Sequence, residues 1–173
     1  MSLNQYPDNP NFLSPLGFRF TIRRMPTVSF FAQEVTIPSV SLGNIDVPTP
    51  FSQMRVPGDH LVYTDFSLTF KVDEDMANYI EVYTWITQLG FPDNFDQYAS
   101  IPQKRYVVNE GVYSDGVLEV LNSAKRAIAE VQFIDMYPTN ISDINFSTKD
   151  TEVSYIEATV NFAYRTFKVV KVN

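Results

Sequence analysis

Short runs in which apolar and polar residues strictly alternate recur along this sequence, and a period of two confines the chain to a β-rich fold. Phe66, Leu68, Phe70 and Val72 alternate with Ser67, Thr69 and Lys71, and Phe18, Phe20 and Ile22 with Arg19, Thr21 and Arg23. Successive side chains of an extended chain point to opposite faces, so each run reads as a half-buried strand. A second strand is expected over 30–37, closed by Pro38, and a hairpin over 117–121 and 127–133 around the loop from Asn122 to Arg126. Tyr137-Pro138-Thr139-Asn140 reads as a corner. The last strand puts Ile156, Ala158, Val160, Phe162 and Tyr164 inward against Glu157, Thr159, Asn161 and Arg165, and residues 167–172 extend it past a bulge. With 14 Phe, 10 Tyr and one Trp in 173 residues, and 45% hydrophobic side chains, the core needs no disulfide or metal staple.

One segment breaks the period. After Asp73-Glu74-Asp75, an acidic helix start, Met76, Tyr79, Ile80, Tyr83, Ile86 and Leu89 fall three and four apart, and Gly90 and Pro92 stop the pattern. This predicts a helix over 73–89 with those residues inward and Trp85 at the seam between its apolar and polar faces. The reading is thus mainly β with one flanking α-helix: residues 1–16 an extended N-terminal arm, 17–173 a single domain. Residues 38–60 form a long proline-rich excursion containing Pro38, Pro48, Pro50 and Pro57 among Leu42, Ile45, Val47, Phe51, Met54 and Val56. Such a stretch is either a loop folded over its own core or an arm docked on a partner.

The chemical inventory is poor. The net charge of −7 argues against a surface that wraps nucleic acid tightly through its phosphates. Between Lys71 and Lys104 there is no cation, while Asp73, Glu74, Asp75, Glu81, Asp93 and Asp96 contribute −6. That block reads as a solvated face, or one that meets a basic partner. The chain has no cysteine and a single histidine, His60, which leaves no thiol chemistry, no usual zinc site and no ready triad. Asp73-Glu-Asp75 is not a calcium loop: Asn78 stands where the turn glycine belongs and Thr84 where the bidentate glutamate belongs. No phosphate-binding glycine motif is present, so no cofactor is expected. The start MSLNQYPDNPNF resembles neither a secretion signal nor a membrane anchor, and the expectation is a soluble protein used without secretion.

The order of parts resembles the tail tube proteins of contractile-tailed bacteriophages and of related injection machines. The features carrying it are Phe18-Arg-Phe-Thr-Ile22, the excursion closing on Val56-Pro-Gly-Asp59, the strand Phe66 to Val72, Asp73-Glu-Asp75 with the helix to Trp85, Tyr137-Pro-Thr-Asn140, and the last strand ending at Tyr164. The resemblance implies an antiparallel β-sandwich or partial barrel of tail-tube type and a non-enzymatic virion protein assembled in the host cytoplasm. It also implies a homo-hexameric ring stacked on neighbouring tail rings, with double-stranded DNA passing through without sequence recognition. The ring's position could be the major tube, the tail completion or tube terminator end, or the baseplate initiator. Val47, Pro48, Phe51, Met54 and Val56 are then the candidates for inter-subunit contact. Glu119, Glu130, Glu157, Thr159 and Asn161, on the polar phases of strands, are the candidates for the lumen. The alternative is a monomeric β-sandwich binding module, for example for carbohydrate, although the inward phase of most aromatics favours core packing.

Overall fold

The computed structural model describes residues 11–90, 92, 96, 111–149 and 155–172. Residues 1–10 of the arm and nearly all of the irregular 93–110 region lie outside these, and residues 11–16 carry no helix or strand. The elements run β1 (Phe18–Ile22), α1 (Pro26–Phe30), β2 (Ala32–Thr36), β3 (Val40–Pro48), β4 (Gln53–Tyr63) and β5 (Phe66–Lys71), then α2 (Ala77–Gly90), β6 (Ser114–Leu121), β7 (Ala127–Ile141), β8 (Glu157–Ala163) and β9 (Thr166–Lys171). Every strand pairing is antiparallel. The expected mainly-β fold is what forms, with the short α1 added beside the flanking helix.

Two sheets share one strand. The first half of β7 pairs with β6 and β9, and β6 pairs onward with β1. The second half pairs with β8, which continues to β5 and β2. Between the halves Asp135 takes a left-handed φ of 57°, a conformation short polar side chains tolerate. Its N–H donates to Asp115 Oδ1 at 3.1 Å, and its carboxylate pairs with Arg165 Nε at 3.1 Å. Tyr137-Pro138-Thr139-Asn140 is therefore not a corner but continues β7; the direction changes two residues earlier. Residues 166–171 likewise form β9, which lies beside the first half of β7 while β8 lies beside the second.

The alternating side chains of both sheets meet in one core. Phe66, fully buried, has its ring centroid 5.0 Å from Phe20, 4.7 Å from Phe133 and 6.2 Å from Phe162, so it touches both sheets at once. The helix α2 covers this core through Val82 and Trp85. It begins at Ala77, four residues after the expected start, because Met76 has a φ of 54° and Asp73 and Asn78 bond reciprocally, backbone N–H to side-chain oxygen. The expected stripe is also rotated. Ile80 and Tyr83 are about half exposed, whereas Trp85 and Asn78 are buried. Asn78 can be inside because its amide donates to the Lys71 carbonyl at 2.7 Å, and Trp85 because its indole N–H finds the Val112 carbonyl at 3.3 Å. The Arg24 guanidinium lies 4.6 Å over the Trp85 ring and closes that side.

The helix α1 has no side-chain cap of its own. Its open N–H groups, on Thr27 and Val28, face the Glu81 carboxylate on α2; that carboxylate's Oε2 is buried without a partner. Burial raises the Glu81 pKa, outweighing the opposing hydrogen bonds.

Two outcomes follow. Phe66→Ala should lower stability by about 3–5 kcal/mol in urea unfolding, while Phe51→Ala, at a fully exposed ring, should stay within about 0.5 kcal/mol. The raised Glu81 pKa stabilises the fold below the ordinary value of 4.5, and that contribution is lost as pH rises through the folded-state value. Glu81→Gln should therefore gain in melting temperature over the wild type as pH climbs above 4.5, and parallel curves for the two would refute this.

Candidate assembly surface

The proline-rich excursion is neither a loop nor folded over the core: it is the β3–β4 hairpin, exposed along nearly its whole length. Its prolines are compatible with strands because both outer edges of the hairpin are unpaired among the described residues, so no ladder bond is lost there. The tip is a four-residue turn, Thr49 to Ser52, with Thr49 N–H donating to the Ser52 carbonyl at 3.0 Å and Pro50 in the second position.

Register sorts the hairpin's side chains. In its outer half Ile45 faces Val56 and Val47 faces Met54, so these four share one face. The other face carries Asp46 opposite Arg55, an ion pair of 3.5 Å, and Asn44 opposite Pro57. Both faces lie in solvent: Ile45 is 59% and Met54 53% exposed. Of the expected contact residues, Val47, Met54 and Val56 thus come together; Phe51 stands at the tip, and Pro48 belongs to the polar face. Ile45 completes the patch, and the alternation Ile45/Val47 and Met54/Val56 was the signal that identifies it.

Midway, Gly43 opposes Gly58, Asp59 and His60 in a bulge. The His60 side chain is 89% exposed, with its Nδ1 3.3 Å from Asp59 Oδ1. At the root, Tyr63 packs edge-on against Tyr164 and Phe167, with centroids 6.2 and 5.5 Å away. The Tyr164 hydroxyl donates to the Thr64 carbonyl at 2.7 Å, and burial, with Asp65 nearby, lifts its pKa to about 12.

The lumen candidates divide. Glu119 and Glu130 are directly opposed on β6 and β7, with Arg19 Nη1 3.1 Å from Glu119 Oε2 and Gln132 donating to Glu130. Glu157, Thr159 and Asn161 lie on β8 in the other sheet, across from Lys71, Thr69 and Ser67, with the Thr69 and Thr159 hydroxyls 2.9 Å apart. Each set alternates with buried core residues of its own sheet, so the two sets look away from the core on opposite sides. Among the described residues no cluster of His, Asp and Glu could hold a metal ion, and no helix is long and apolar enough to cross a membrane.

A family model described as phage tail tube protein matches residues 11–170. The chain belongs to the phage tail tube protein family. It is thereby a structural tail-tube-type protein, and the family's members are not enzymes. No curated protein sequence matches the chain. Among solved structures, the tube-terminating cap of the anti-feeding prophage superposes with a TM-score of 0.67 at 11% identity, covering 99% of this chain and 100% of that one. The sheath–tube complex of the extracellular contractile injection system PVC, in its extended state, gives 0.64 at 13%, covering 98% and 95%. The anti-feeding prophage baseplate gives 0.59 at 9%, covering 88% and 90%. These likenesses establish that the tail-tube family member shares their fold.

The bulge offers a direct check on the hairpin. A Cβ on Gly58 would stand 2.8 Å from the Gly43 carbonyl oxygen, too close for the two strands to keep their spacing. Gly58→Ala should speed hydrogen exchange at amides 44–57 at least tenfold while leaving 66–71 unchanged, since the part of the hairpin beyond the bulge is exposed and only its root packs on the body. Unchanged exchange at 44–57 would show that the strands tolerate the contact.

Proposed function

We propose that the chain is a ring-forming subunit of a contractile phage tail or phage-like injection device, six copies closing around a conduit and stacking on neighbouring rings. The observation that carries this reading is the β3–β4 hairpin, a two-stranded ribbon whose apolar face no described residue covers. A two-stranded ribbon in water is marginal, and contiguous apolar surface on a soluble monomer is uncommon; both problems vanish if another subunit lies against that face. The outer edges of β1, β2 and β9, unpaired among the described residues, add to the case, because ring closure is one way to satisfy such edges.

The single-domain division, with 1–16 as an arm, fits the same scheme. The subunit belongs in the virion or particle, as the tube proper, a terminator or a baseplate initiator, with sheath, neck or baseplate proteins as further partners. One conduit can be lined by one outer face only. Either Glu119 with Glu130 or Glu157 with Thr159 and Asn161 meets the cargo, which in a phage is double-stranded DNA repelled rather than bound by an acidic wall. In the binding-module alternative exposed aromatics would be platforms, yet Trp85, Phe20, Phe66, Phe133 and Phe162 are buried in the core, and the exposed Phe12, Phe30, Phe51, Phe146 and Tyr155 stand on different segments of the chain.

Light scattering against concentration, with negative-stain images of the same samples, tests the proposal. Rings or tubes are expected for the wild type. Val47→Asp with Met54→Asp should raise the concentration needed for assembly at least tenfold without moving the melting temperature. A monomer at every concentration, alone and with the other tail proteins present, would overturn the reading.

A further inference from the structure

The short helix α1 links the two outer edge strands, β1 of one sheet and β2 of the other. Its C-terminal side is tied to its neighbours through main-chain groups. The Ser29 hydroxyl accepts the Ile22 N–H at 3.1 Å and donates to the Met25 carbonyl at 3.1 Å, and the Lys71 N–H donates to the Phe31 carbonyl at 3.1 Å. The first turn is held differently. Pro26 has no N–H to offer, Met25 supplies no side-chain cap, and the Thr27 and Val28 N–H groups turn with the Thr27 hydroxyl to Glu81 on α2. Glu81 Oε2 is meanwhile buried with no partner. We propose that Glu81 is a proton-coupled clamp on α1: the first turn seats on α2 with uptake of a proton at this carboxyl, and the seat is firmer in acid than at neutral pH. The inference concerns the subunit's own fold and stands whether or not rings form.

The chemistry follows from the two oxygens. A carboxylate shares its charge between both, and a buried oxygen without a donor makes the ionised form expensive. A proton on Oε2 removes that charge and leaves the other oxygen to accept the N–H bonds, so the helix start keeps its acceptor in either state. The charged neighbours point the same way. Asp73, ahead of α2, adds like charge, and α1 itself has no titratable side chain. Arg24, next to α1 in the chain, spends its guanidinium on the Gly111 carbonyl and on Gln88 Oε1 at 2.8 Å, about two turns further along α2, while Arg23 is exposed. Lys71 at the end of β5 turns its ammonium over the Tyr155 ring, 4.7 Å from the centroid. Among the described residues no cation pairs with Glu81. Burial, with Asp73 adding to it, therefore lifts the carboxyl's hold on its proton above the ordinary value of 4.5, against the opposing bonds from Thr27 and Val28. An open α1 returns Glu81 to water and to that ordinary value. Closure is thus favoured below 4.5, and the advantage is lost as pH rises through the closed-state value.

Hydrogen exchange of the full chain at amides 27–31, corrected for the intrinsic rate at each acidity from about pH 4 to about pH 8, tests the clamp. In the wild type these amides should exchange faster than 66–71 at every pH. Their protection should fall about threefold or more as pH climbs above 4.5 and then level off. Glu81→Gln, a neutral acceptor of the same shape, should hold the higher, acid-side protection across the whole range. Glu81→Ala, which removes the acceptor, should lose about tenfold or more at every pH. A wild-type profile without the fall, or the same fall in Glu81→Gln, overturns the proton coupling. Protection in Glu81→Ala equal to the wild type's removes Glu81 as the acceptor, and exchange of 27–31 in step with 66–71 shows that α1 opens only with the whole fold; either result overturns the clamp.

Discussion

The whole arrangement depends on one bend in one strand. β7 serves both sheets only because its backbone turns at Asp135, and the turn is held from three directions. Asp115 accepts the Asp135 N–H, Arg165 pairs with the Asp135 carboxylate, and the Arg165 N–H donates to the Ile134 carbonyl at 3.0 Å. The last of these ties the bend in β7 to the junction between β8 and β9, so both long strands turn together. With the sheets folded toward each other, Phe66 reaches Phe20 and Phe133 on one side and Phe162 on the other. Straighten β7, and that cluster has nothing to close on.

Much of this was legible in the residues. The alternation in 18–22, 66–71 and 157–163 named the right strands and the right inward faces, because a two-residue period survives any register. The failures have physical causes. Asp135 looks like any acidic residue in a sequence, and only its φ reveals the bend, whereas Tyr137-Pro-Thr-Asn140 carries turn-forming residues that a strand paired on one side among the described residues absorbs. The helix stripe was rotated because Asn78 counts as polar until its partners on Lys71 and Asp73 are known. The short α1 has no cap signal, its acceptor coming from Glu81 far along the chain.

The candidate surface was legible to a different degree in its two parts. Apolar residues in a proline-rich stretch with no room in a core identified Val47, Met54 and Val56, and register added Ile45. Strand phase could mark Glu119, Glu130, Glu157, Thr159 and Asn161 as outward. It could not tell that they sit on two sheets, since outward is defined strand by strand and the sharing of β7 is a property of the whole chain.

The hairpin is also a mechanical part. A ribbon clamped at one end is a cantilever, and its clamp here is Tyr63 wedged against Tyr164 and Phe167, with the Tyr164 hydroxyl tied to the Thr64 carbonyl. A hydroxyl whose pKa is about 12 keeps its proton through the whole physiological range, so the clamp does not slacken with acidity. Its other jaw is the β8–β9 junction that Arg165 fastens to the bend in β7. A load on the tip is therefore carried as torque into the strand that joins the two sheets rather than into a surface loop. Stiffness at the root passes deflection of one subunit's hairpin directly to that subunit's body.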